Sequence, residues 1–200
     1  MQELHQMRLM EIFRQAIAGY TALRGNLLKC SFDGFDASNS QVSRAYNATI
    51  RWVQGKMTTP WVYLYGPPGN GKTHLAAAAA NYLLVRRRAV LFATAPELLT
   101  MIRGGYDTGQ AETLIGLCQR APWLVIDDLG TERLTEWAAE VMFRILDARY
   151  VSRTSTLVVS NASPDRIEEP RLSSRFLDCN LCLVVPNTGS DYRKRKERGK

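Results

Sequence analysis

Gly66, Pro67, Pro68, Gly69, Asn70, Gly71, Lys72 and Thr73 stand in one row between a short apolar run and a helical stretch, a full match to G-x-x-x-x-G-K-[ST]. Glycines at this spacing let the backbone curl into a nest of N–H groups aimed at phosphate oxygens. The helix that follows adds its positive dipole end. Lys72 would reach the β and γ phosphates and Thr73 would ligate magnesium, so a nucleoside triphosphate and Mg2+ are the expected cofactors. His74 follows directly and is counted with the cradle, although its place inside the helix also suits simple packing.

Three further groups could serve the same chemistry. Asp127 ends the apolar run WLVID, at the strand edge where open α/β sheets bind ligands. Its carboxylate could hold the metal while Asp128 faces the γ-phosphate. Asn161 follows TLVVS and could orient an attacking water; asparagine is also a common turn former. Arg171 and Arg175 in RLSSRF could stabilise charge on a transferring phosphoryl group, or form a solvated helix face.

The elements that must position these residues are legible as alternation. WVYLY at 61–65, AVLFAT at 89–94, WLVID at 123–127, STLVVS at 155–160 and LCLVV at 181–185 read as strands apolar throughout. Helical stretches separate them, at roughly 72–87, 96–102 with 113–119, and 135–151. That pattern predicts an α/β fold, a parallel sheet covered on both faces. Upstream, Leu9, Phe13, Ala16, Ile17 and Tyr20 form an N-terminal amphipathic stripe. SFDGFDAS then reads as a loop. A helix follows, carrying Val42, Tyr46, Ile50 and Val53, with Ser38 or Ser40 as its cap and an end near Gly55.

Composition bounds the rest. With 200 residues, 46% hydrophobic and 22% charged, the chain fits one ordinary globular domain and excludes global disorder. No apolar run reaches the length of a membrane span and the start does not read as a secretory signal. Four irregularly placed cysteines form no disulfide framework, which suits a reducing cytoplasm. Cys179 and Cys182 make a lone C-x-x-C without the further ligands that structural zinc needs. The net charge is +7, and the tail carries much of it in Arg193, Lys194, Arg195, Lys196, Arg198 and Lys200. Such a tail either engages a polyanion or is a solvated end.

With GPPGNGKTHLAAAAANYLL, LVIDDLG, SNAS and RLSSRF in that order, the chain resembles the AAA+ ATPases of the DnaC and IstB group, most of all the replicative helicase loaders. The resemblance covers about four fifths of the sequence. It implies a five-stranded parallel P-loop sheet (ASCE, AAA+) and ATP hydrolysis. It makes Lys72 and Thr73 the Walker A pair, Asp127 and Asp128 Walker B, Asn161 sensor 1 and Arg175 the arginine finger, with Arg171 second choice. It also implies an initiator-type helical insertion at ELLTMIRGGYDTGQ, where Arg103 and Tyr106 supply a cation and a stacking ring for single-stranded DNA.

The implied partners are a hexameric replicative DNA helicase, single-stranded DNA and further copies of the chain, with no membrane. A transposition helper of the IstB type, acting on duplex DNA and a transposase, would share every motif. A nucleotide-switched DNA-binding adaptor is the other alternative; a small-molecule kinase fits Asn161 and RLSSRF poorly. The expected organisation is a helical segment at 1–30 for partner docking, an ATPase domain at 31–190 and a basic tail at 191–200. Three departures from the family stand out, the first being that only about thirty residues precede SFDGFD, where loaders usually carry a longer helicase-gripping region. Asp128 occupies a place where many AAA+ enzymes carry glutamate, a shorter arm. The fourteen residues after Pro186 are too few for a helical lid, so hydrolysis should depend on a neighbour.

Overall fold

The computed structural model describes residues 21–130, 135–189 and 192. The amphipathic stripe at 9–20 and the tail cations from Arg193 onward lie outside them. Five strands, β1 (Trp61–Tyr65), β2 (Val90–Thr94), β3 (Trp123–Leu129), β4 (Ser155–Ser160) and β5 (Cys182–Pro186), form one sheet in the order β2-β3-β4-β1-β5. Every pairing is parallel.

Alternation within the strands builds two cores. Trp61, Tyr63, Leu91, Leu124, Ile126 and Val158 face one side. They pack against α3 (Ala95–Asp107), α4 (Ala111–Arg120), α5 (Glu136–Ser152) and α6 (Pro170–Leu177). Val62, Leu64, Val90, Phe92, Val125 and Leu157 face the other, under α1 (Ser40–Val53) and α2 (Lys72–Val85). The strands are apolar throughout because both of their faces are covered.

Helix α2 explains its own composition. Ala76 to Ala80 are all buried, so this helix has no solvated stripe and lies wedged between the sheet and α1. Small side chains allow that approach, and it fixes the helix start against the loop that follows β1. On the opposite layer, Phe176 of α6 meets Tyr63 and Trp61 at ring separations of 4.7 and 6.0 Å. After β5 no helical lid is present among the described residues. Among them, too, no helix is long and apolar enough to cross a membrane.

Candidate nucleotide site

The sheet order places β4 between the strand leading into the glycine loop and the strand carrying the paired aspartates. Asn161, just past β4, therefore lies between Lys72 on one side and Asp127 and Asp128 on the other. A cavity of about 450 Å³ opens at this C-terminal edge. Pro68 to His74, Asp128 and Asn161 line it, so the motif residues converge on one space despite up to ninety-odd intervening positions.

The loop is held from beneath. Lys72 is buried, and its Nζ donates to the carbonyls of Gly66 and Pro67, each at 2.7 Å, and to Asn70 Oδ1 at 3.1 Å. Burial lowers its pKa to about 8, against the opposing pull of Asp127 and Asp128. Asn70 in turn bonds the carbonyl of buried Asn187, whose Nδ2 donates back to Asn70 O at 3.1 Å. Gly71 has φ +89°, and a Cβ there would stand 2.6 Å from the Phe35 ring, so both conformation and space demand glycine.

Asp127 and Asp128 sit in different environments. Asp127 is buried, accepts from the Asp128 backbone N–H at 3.0 Å and is hydrogen-bonded by the Thr73 side chain. Burial, reinforced by the neighbouring Asp128, raises its pKa to about 6. Asp128 reaches the cavity because the chain bulges there. The β3 to β4 register shifts between Ile126 and Leu129, and Asp128 sits at φ +56°. Hard oxygen donors from Thr73 and Asp127, side by side, fit Mg2+.

One wall is absent from the motif reading. Phe35, Asp36, Asn39, Val42, Gly189 and Tyr192 complete the cavity. Phe35 stacks on Tyr46 at 5.7 Å and tilts against His74 at 5.5 Å, while His74 Nε2 meets the Ser31 carbonyl at 2.8 Å. His74 thus packs and lines the site at once. The Tyr192 N–H donates to the Gly69 carbonyl at 2.9 Å, tying the start of the tail to the glycine loop. The aromatics of SFDGF were the available signal for this wall.

Four expected residues stand apart from the cavity. Arg171 and Arg175 point to α5 of their own chain, pairing with Glu140 at 3.0 Å and Asp147 at 2.9 Å. Arg103 lies over the Trp137 ring at 4.6 Å, and half-exposed Tyr106 meets the same ring edge-on at 6.3 Å. Trp137 escaped the sequence reading because no spacing links it to α3. Cys179 is exposed and Cys182 buried, with its thiol pushed up to about 12 by burial.

Comparison with known proteins agrees with this geometry. The family model described as IstB-like ATP binding protein matches residues 29–199. The replicative helicase loader DnaC of Buchnera aphidicola is 26% identical over 151 residues, 74% of this chain and 61% of that protein. The loader DnaI of Bacillus subtilis is 32% identical over 159 residues, 78% of this chain and 51% of that protein. The chain therefore spans between half and about three fifths of the length of these two curated relatives. A crystal structure of the DnaC helicase loader superposes with a TM-score of 0.68 at 26% identity, covering 81% of this chain and 99% of that one. The chain belongs to the IstB-like ATP-binding protein family, with the AAA+ fold.

Proposed function

We propose that the chain is an ATP-hydrolysing replication factor that loads a replicative helicase onto single-stranded DNA, with hydrolysis completed by Arg175 of a neighbouring copy. The observation that carries the reading is the convergence of Lys72, Thr73, Asp128 and Asn161 on one cavity, while Arg175 is directed elsewhere. Bound magnesium would neutralise charge between the β and γ phosphates. Thr73 and Asp127 would hold it. Lys72 would exchange its loop carbonyls for phosphate oxygens, and the N–H nest would orient the chain of phosphates. Phe35, Val42 and Tyr192 would flank the base. Asp128 and Asn161 would position the water. Arg103 and half-exposed Tyr106, steadied by Trp137, would offer a cation and a ring to unstacked bases.

The decisive experiment combines the purified chain with a replicative helicase and a single-stranded DNA circle, and measures helicase deposition with ATP. Deposition that requires both ATP and Lys72 supports loading; ATP turnover without helicase capture overturns it. The family match favours one second reading, a transposition helper on duplex DNA. Capture of a transposase in place of a replicative helicase, in a pull-down offering both, would select it.

A further inference from the structure

Among the described residues, the N-terminal edge of the sheet, opposite the nucleotide cavity, is predominantly cationic. The segments leading into the strands hold Arg51 and Lys56 before β1, Arg86, Arg87 and Arg88 before β2, Arg120 before β3 and Arg153 before β4. All seven are exposed. The acid in these segments is Asp178, before β5, and it is engaged by the Tyr150 hydroxyl at 2.8 Å. Because β2, β3, β4 and β1 are consecutive neighbours, the cations follow one rim about 14 Å long, three strand spacings.

Helix dipoles do not account for this charge. Among the described residues five helices end at this edge, and each C-terminus supplies only about half a negative unit. With Asp178 added, roughly half of the positive charge is left over. Arg149 is buried nearby and already donates to the carbonyls of Cys118, Ala121 and Ser155, so the end of α4 and the start of β4 have a dedicated partner. Arg51, Arg86 and Arg153 each donate one N–H to a local carbonyl and keep the rest of their guanidinium exposed. Six of the seven exposed cations are arginine, whose planar, weakly hydrated guanidinium suits phosphate better than lysine does.

We infer that this rim binds the phosphate backbone of duplex nucleic acid, as a second contact separate from the Arg103 and Tyr106 cluster. Single strands are held by open aromatic faces, and the rings at this edge are covered. Trp52 and Trp123 pack edge to face at 4.8 Å, Arg86 lies 3.5 Å over Tyr82, and Arg175 lies 4.4 Å over Tyr150. Beside Arg153 a cavity of about 290 Å³ exposes Thr58, Thr59 and Ser155. Their hydroxyls are the polar partners that phosphate oxygens take. A duplex as long as the rim carries about eight charges, comparable to the cations facing it. The inference does not rest on helicase loading.

The test uses the full chain and a labelled duplex of arbitrary sequence, with affinity followed by fluorescence anisotropy across a salt series. The variant joins Arg86→Gln, Arg88→Gln and Arg120→Gln to Arg87→Asn, since Arg87 sits at φ +56° where asparagine is tolerated. Four lost contacts should flatten the slope of log K against log salt by about 3 to 4 and weaken binding at least tenfold at about 0.1 M salt. An ATP-dependent rise in melting temperature equal to that of the parent shows that the fold is intact. Exposed Arg44 and Arg166, changed to glutamine, form the control and should leave the slope in place. An unchanged slope in the fourfold variant overturns the inference, and so does an equal loss per charge in the control. Tyr106→Ala should weaken binding to an oligothymidine and spare the duplex, so failure of the loader reading is read on a different strand.

Discussion

Arg175 donates from Nε and Nη2 to Asp147 Oδ1, at 3.1 and 2.9 Å, with its guanidinium 4.4 Å from the centre of the Tyr150 ring. Both partners lie on α5 of the same chain, so the candidate finger is held on its own subunit and turned away from its own nucleotide cavity. A partly exposed pair of this kind contributes at most about 1 kcal/mol. Activity lost on its removal is then not a folding defect. Arg175→Ala should bind ATP with parental affinity and hydrolyse it at least about a hundredfold more slowly, the cautious end of finger effects. Mixing it with Lys72→Ala should restore turnover, one copy giving the site and the other the arginine. A mixture that stays inactive while Arg175→Ala alone matches the parent would remove the finger assignment.

Lys72→Ala removes the one ammonium seated in the glycine loop, while Asn70 and Asn187 still brace the backbone. Calorimetry with ATP and magnesium should show no measurable binding. Parental affinity would mean that the backbone nest alone holds the phosphates.

Asp127 gives a pH prediction for the nucleotide-free protein. Its pKa is raised from an ordinary carboxylate value to about 6 by burial, so between about pH 4 and 6 the native state keeps a proton that the unfolded chain has lost. Stability therefore falls as pH rises through that window and levels off above it. Asp127→Asn should remove the slope and, at pH 7, stabilise the protein by on the order of 1 to 3 kcal/mol while impairing magnesium-dependent turnover. Denaturant melts from pH 4 to 8 decide it; parallel profiles for parent and variant would show that the carboxylate is not held at a cost.

The strands and the glycine loop were readable because their signals are contiguous. WVYLY and STLVVS coincide with β1 and β4 residue for residue. Helix α3 runs past its expected end at Ile102 to Asp107, straight through Gly104 and Gly105. In the structure a Cβ on Gly105 would stand 2.8 Å from Ala111 N, so the glycine permits α3 and α4 to meet. Strand β3 outran Asp127 because a bulge lets pairing resume at Leu129. Buried Arg149, and the parts of the wall that Val42 and Gly189 supply, depend on contacts between distant segments, which no local pattern encodes.

The same bulge explains why aspartate, the shorter carboxylate, suits position 128. Asp128 holds φ +56°, a left-handed conformation in which Asp and Asn are several-fold enriched over longer side chains. Glutamate there would meet backbone strain of about 1 kcal/mol, and its longer arm would enter a cavity already lined by Asn161 and Thr73. Asp128→Asn should keep the bulge, melt within about 0.5 kcal/mol of the parent and bind ATP with magnesium normally, yet lose turnover, because only the group that orients the nucleophile is gone. Asp128→Glu should be less stable by about 1 kcal/mol and should not exceed the parental rate. Single-turnover hydrolysis with denaturant melts separates the two effects. A faster and equally stable glutamate variant would show that the left-handed turn places no demand on residue 128.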